Sequence, residues 1–213
     1  MYKILAAAVL LIGFSACQKE ISLETPITDP SNPGGNGNGG STQTLAGTYD
    51  FVGMVANGSS AVRYTEMGVT ATITTYFAYR TTNNAGTCVF TSNHITTNGL
   101  KYDIDTTLRV VMSAPGMPNQ TETVPFQYSM GPTSSEGDYV LKGADSLVTS
   151  SVLFSGEDLP SGTLPGSSSA HIGWSGDTLL LTSGVKGTYS QVIEGTPVTQ
   201  IVDISSTMKF KKK

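Results

Sequence analysis

The two histidines are the side chains in this chain best suited to chemistry, because histidine binds metals and transfers protons near neutral pH. His94 lies in TSNHITTNG, beside a predicted turn, and His171 lies in SAHIGWSGD. A metal site needs three or four converging ligands, and no spacing of His, Cys or carboxylate residues in the sequence offers them. We therefore expect two surface or hydrogen-bonded histidines, no metal site and no cofactor.

Two carboxylates, Asp103 and Asp105, are spaced so that they share one face of a strand about 7 Å apart, which suits paired acid and base groups. Lys101 and Arg109 fall on the same face, so the pattern indicates a solvated face of mixed charge. The sequence contains no Gly-x-Ser-x-Gly, phosphate-loop or His-Glu-x-x-His motif. We predict that the protein is not an enzyme. Cys88, in TCVFT beside Phe90, is expected to be a buried and inert thiol.

The clearest structural signal is the alternation of apolar and polar residues, which is typical of strands with one buried face. Residues 100–112 read LKYDIDTTLRVVM and residues 69–79 read VTATITTYFAY. One face of these segments, together with one face of the last segment, carries the apolar residues Leu100, Tyr102, Ile104, Leu108, Val110, Met112, Val69, Ala71, Ile73, Phe77, Tyr79, Val198, Val202, Ile204, Met208 and Phe210.

Turn signals separate the predicted strands: Asn57-Gly58, Asn84-Ala85-Gly86, Asn98-Gly99, Pro115-Gly116, Ser175-Gly176 and Glu194-Gly195. No stretch after Leu45 has a sustained helical period. The pattern predicts one all-β domain over residues 45–213, an antiparallel meander that closes as a barrel, with an immunoglobulin-like sandwich as the alternative. Pro125 predicts an edge or a bulge in its strand, because proline has no backbone N–H to donate.

The opening strand LAGTYDFVGM, residues 45–54, resembles the Gly-x-Trp strand of lipocalins, with Tyr49 in the place of the tryptophan. The length of the domain also suits that family. The resemblance implies a lipocalin-like barrel with an internal cavity, whose rim would include loop 155–168 and HIGWSGD. Inward-facing or aromatic residues are then the candidates for binding a ligand: Tyr102, Ile104, Leu108, Val110, Val69, Ile73, Phe77 and Trp174. The same residues would form the core of a filled barrel or a sandwich.

An N-terminal apolar run, Ile4 to Ala16, follows Lys3. A helix of that length spans about 20 Å, which is short of the roughly 30 Å hydrocarbon core of a bilayer. The run therefore predicts a signal peptide over residues 1–16. Phe14-Ser15-Ala16-Cys17 resembles the bacterial lipobox, which implies cleavage before Cys17 and lipidation of its thiol; the alternative is an ordinary signal peptide.

Residues 17–44 contain the lipidated cysteine and then a flexible linker rich in Gly, Pro and Asn. Gln18-Lys19-Glu20 resembles the export signal of Bacteroidota surface lipoproteins. That resemblance implies an outer-membrane protein, anchored by lipid and exposed at the cell surface, with the periplasmic leaflet as the alternative. The formal net charge of −4 offers no basic field for nucleic acid.

Two functions fit these observations. The first is a lipocalin-like module that binds a small apolar or amphipathic ligand. The second is a non-catalytic structural or interaction protein that contacts another component of the cell envelope.

Overall fold

The computed structural model describes residues 44–66, 68–149, 168–193 and 196–213. The predicted signal peptide and linker, the turn at Glu194-Gly195 and loop 155–168, apart from its last residue, lie outside these ranges. The described strands are β1 (Gly47–Glu66), β2 (Val69–Arg80), β3 (Thr82–Phe90), β4 (His94–Ser113), β5 (Gln120–Leu141), β6 (Ser146–Thr149), β7 (Ser168–Ser175), β8 (Thr178–Ile193) and β9 (Thr196–Lys212).

These strands form one antiparallel sheet whose hydrogen bonds run in a ring, in the order β2-β1-β3-β4-β5-β6-β7-β8-β9. Two further pairings, of β2 with β4 and of β1 with β9, complete the ring. The predicted all-β meander is confirmed, since β1 pairs with β2, each strand from β3 to β8 pairs with the next along the chain, and β1 meets β9. The described strands do not divide into the two packed sheets of an immunoglobulin-like sandwich.

β2 and β3 act as one strand that is interrupted at Thr81. The first part of β1 pairs with β3 and its later part pairs with β2. At the junction, the backbone N–H of Thr81 donates to the carbonyl oxygen of Met54 at 2.9 Å, and the Thr81 hydroxyl accepts from the Met54 N–H at 2.8 Å. Thr81 is buried, so this exchange keeps backbone groups satisfied where the strand bends.

The barrel-like ring has two halves of different character. The core half holds β3, β6 and β7 with the adjoining parts of the longer strands, and the distal half holds residues 57–66, 69–80, 105–113, 120–130, 183–193 and 196–206. The inward-facing side chains of the core half form a hydrophobic core. In it Tyr49 packs against Phe90 and Phe51 against Phe210, each pair with 5.6 Å between ring centroids. Its fully buried members include Tyr49, Phe90, Phe210, Ile95, Ile104 and Leu179.

Three predicted turns are wrong, because their residues lie inside strands. Asn84-Ala85-Gly86 lies within β3, where an added Cβ on Gly86 would sit 2.7 Å from the Cα of Leu100. Gly58 lies inside β1, where an added Cβ would sit 2.8 Å from the Cα of Ile204; glycine is needed there for the close approach of β9. Gly99 lies inside β4 with a φ of 61°, at a register shift against β5. The turns at Pro115-Gly116 and Ser175-Gly176 join β4 to β5 and β7 to β8, as predicted.

The proline expectation is also met. Pro125 lies within β5 opposite Thr107 of β4, and β4 is the one described strand that pairs with β5 at this position. Among the described strands β5 is therefore an edge strand at this position, which is where a sheet tolerates proline.

Candidate ligand-binding face

The structure divides the predicted ligand-binding residues between the two halves. Tyr102 and Ile104 belong to the filled core and are 3% and 2% exposed. Trp174 packs against the same core and lies 6.4 Å from Tyr49 between ring centroids. The remaining five lie in the distal half: Leu108, Val110, Val69, Ile73 and Phe77.

Strand register places these distal residues on one continuous face. Residues directly opposite in an antiparallel pair lie on the same side of the sheet. Val62 is opposite Ile73, Ile73 is opposite Met112, and Leu108 is opposite Val124. Alternation along β4 then joins this face to buried Ile104. We call it the inner distal face.

Every strand of the inner distal face contributes apolar side chains to it. Most of these apolar side chains are half-buried, although Val202 is 6% exposed, whereas the largest inward-facing side chains of the core half are buried. One representative per strand is Val62, Ile73, Val110, Val124, Val185 and Ile204. Val69 lies at the far end of β2 and is 52% exposed, so the apolar character extends to the end of the sheet.

The outer side of the same strands is polar. Lys186 and Asp203, neighbours on β8 and β9, form an ion pair at 2.9 Å. The guanidinium of Arg109 lies 4.0 Å from the ring centroid of Tyr76. The sheet of the distal half therefore has one wet face and one apolar face, and the apolar face curves inward.

The segment HIGWSGD, which was predicted to form part of the cavity rim, lies at the end of the β domain opposite the distal half. β7 ends at Ser175, and Thr178, at the start of β8, is opposite Lys211 near the end of β9. The backbone N–H of Lys212 donates to the carbonyl oxygen of Asp177 at 3.0 Å. Because it pairs with the last residues of β9, this segment lies at the end of the core half. It does not border the inner distal face.

Cys88 is fully buried opposite Tyr49, and burial raises the pKa of its thiol to about 12. A thiol with so high a pKa is protonated at neutral pH and is a poor nucleophile. The predicted burial of this cysteine is confirmed.

His94 forms a polar cluster that sequence reasoning missed. Its Nδ1 lies 2.7 Å from a carboxylate oxygen of Asp138, and its Nε2 lies 3.7 Å from Glu136. The hydrogen bond to Asp138 is the main reason that the pKa of His94 is raised. The sequence carries no local signal for this cluster, because His94 and Asp138 meet only through the register of β4 and β5.

The other candidate polar groups are dispersed. His171 lies 3.6 Å from Asp145, while Asp103 accepts from Asn83 and Asp105 from Gln127. The hydrogen bond from Asn83 lowers the pKa of Asp103, so this carboxylate is ionised and already partnered. In the part of the chain that the structure describes, no three His, Cys, Asp or Glu side chains group as metal ligands.

No family model matches the chain, and no curated protein matches it. One solved structure with some likeness is Ail, the attachment invasion locus protein of Yersinia pestis, at 9% sequence identity and a TM-score of 0.17. The match covers 78% of this chain and 99% of that chain. A likeness this weak carries no argument about function. Among the described residues, no helix is long and apolar enough to cross a bilayer.

Proposed function

We propose that this protein is a lipid-anchored protein of the cell envelope whose β domain binds a small apolar or amphipathic ligand on the inner distal face. The observation that carries the proposal is the contrast between the two halves. The inward-facing aromatic side chains of the core half are buried, apart from half-buried Trp174, whereas most apolar side chains of the inner distal face stay partly exposed. Apolar surface that stays accessible on a concave face is typical of binding sites.

The proposed location rests on the sequence. The apolar run that ends at Ala16-Cys17 supports export and lipidation, and Gln18-Lys19-Glu20 supports the outer membrane and its cell-surface side. The lipid anchor would hold the β domain at a membrane surface, where lipids and other amphipathic molecules are abundant.

Two adjacent valines of β4 allow a matched test of the binding face. Val110 points to the inner distal face and Val111 to the outer face, and both are half-buried. We expect an apolar fluorescent probe to bind the mature protein and to lose most of its affinity in Val110→Asp, because a carboxylate on the binding face is desolvated by the probe. Val111→Asp should bind the probe as the wild type does. Equal loss in both variants, or no binding by the wild type, would refute the proposed site.

The second candidate function is that of an interaction protein, and one observation favours it. The outer surface of β1, β8 and β9 has a shallow depression of about 570 Å³. Val52, Val55 and Leu180 line it, and Val52 is 44% exposed. For this candidate, Val52→Lys should abolish crosslinking to an envelope protein in intact cells. Val192→Lys is the control, since Val192 is exposed and lies outside the depression.

A further inference from the structure

The hydroxyl of Tyr102 is a buried polar group without a hydrogen-bond partner among the described residues. Tyr102 is 3% exposed, and its ring lies between those of Phe51 at 6.3 Å and Tyr128 at 6.2 Å. A buried hydroxyl without a partner destabilises the folded protein, because it has lost its hydrogen bonds to water, so its position calls for an explanation.

Tyr102 stands where the filled core meets the inner distal face. It precedes Ile104 on the same side of β4, and Tyr128 is directly opposite Ile104. Tyr79 approaches from β2, and both Tyr79 and Tyr128 are half-buried. Burial, with a smaller contribution from the nearby hydroxyls of Tyr79 and Tyr128, raises the pKa of Tyr102. The hydroxyl is therefore a neutral donor and acceptor at neutral pH.

Charge on the inner distal face selects against an anionic ligand. The lysines and arginines of the described distal strands, which are Arg63, Arg80, Arg109 and Lys186, are exposed and alternate with the inward-facing positions. The charged residues on the inner side are Glu66, opposite Val69, and Glu122, opposite Val110. A carboxylate or phosphate inserted beside Tyr102 would lose its hydration and would find no cation to pair with.

We infer that the hydroxyl of Tyr102 is the polar contact for the inserted end of the ligand; this inference rests on the function proposed above. The ligand is then an amphipathic molecule with a neutral, hydrogen-bonding head, a hydroxyl or a carbonyl, and a hydrocarbon part that lies along the inner distal face. Insertion gives the buried Tyr102 hydroxyl the partner that the protein does not supply.

A pair of probes of equal chain length tests this head-group preference. In the mature protein, 1-decanol and decanoate at pH 8 each compete with the apolar fluorescent probe. We expect 1-decanol to bind at least threefold more tightly than decanoate. In Tyr102→Phe, 1-decanol should lose about threefold to tenfold in affinity, as expected for one hydrogen bond, while the affinity of the apolar probe stays the same.

Tyr76→Phe is the matched control, because Tyr76 lies on the outer side of β2, opposite Arg109 and away from the inner distal face. It should keep the affinity of the wild type for 1-decanol. Without ligand, Tyr102→Phe should be at least as stable to denaturant as the wild type, since it removes an unsatisfied group.

The outcomes separate the two proposals. If the fluorescent probe does not bind the wild type, the proposed function fails and the inference fails with it. If the probe binds but Tyr102→Phe leaves the affinity for 1-decanol unchanged, the binding face stands and the role of Tyr102 is wrong; a structural water then satisfies its hydroxyl. If the wild-type protein binds decanoate more tightly than 1-decanol, the inference is wrong, and no variant is needed to show it.

Discussion

Tyr49 donates a hydrogen bond from its hydroxyl to the carbonyl oxygen of Leu45, four residues earlier, at 2.8 Å. Both residues are buried, Tyr49 completely. The bond therefore fastens the first residues of the β domain to the aromatic core of the core half. A tryptophan at this position could donate only from its indole nitrogen, whereas the tyrosine hydroxyl reaches the backbone just before the start of β1.

We predict that Tyr49→Phe lowers the free energy of unfolding by about 1–3 kcal/mol, because the buried carbonyl oxygen of Leu45 loses its donor. Chemical denaturation of the mature protein measures the change. Tyr76→Phe serves as control, since Tyr76 is on the outer surface and keeps its ring beside Arg109. Equal stability of Tyr49→Phe and the wild type would show that the contact does not stabilise the fold.

The two halves should respond differently to the loss of an aliphatic side chain. Ile104→Ala should destabilise the protein by about 2–5 kcal/mol, because it leaves a cavity in a packed core. Leu108→Ala, four residues along the same face, should cost about 1–2 kcal/mol, because Leu108 is only half-buried. Denaturation of both variants checks this, and a loss at Leu108 as large as that at Ile104 would indicate that the distal half is also filled.

The apolar faces of β2, β4 and β9 could be predicted from the sequence, because each follows a period of two over many residues. The continuity of β1 through Asn57-Gly58 could not, since a glycine required by a neighbouring backbone has the same sequence signature as a turn glycine. The clustering of Tyr79, Tyr102 and Tyr128 was equally hidden. Those residues come from three strands, and their meeting depends on registers that local sequence does not encode.

A pH titration should reveal the His94 cluster. The pKa of His94 is raised in the folded protein, mainly by its hydrogen bond to Asp138. A raised pKa means that the pair stabilises the fold below the unfolded value near 6.5 and that this contribution is lost as the pH rises through the folded pKa. NMR titration of the His94 ring should show a midpoint above 6.5 that falls in Asp138→Asn, and an unchanged midpoint would contradict the assignment.

The proposed lipidation at Cys17 predicts the behaviour of the protein in cell fractions. Wild-type protein should sediment with membranes, and Cys17→Ser should appear in the aqueous fraction, because the acyl chains supply the binding energy for the bilayer. Cys88→Ser is the matched control, since Cys88 is buried in the core. Membrane association of Cys17→Ser equal to that of the wild type would refute the anchor.

The most direct test of the central claim is native mass spectrometry of the protein purified from its own host, followed by release and identification of any bound molecule. The account predicts a bound lipid-like molecule with a neutral hydroxyl or carbonyl head, retained in Val111→Asp and lost in Val110→Asp. Wild-type protein that carries no such molecule, and that binds no apolar probe when one is added, would contradict the account.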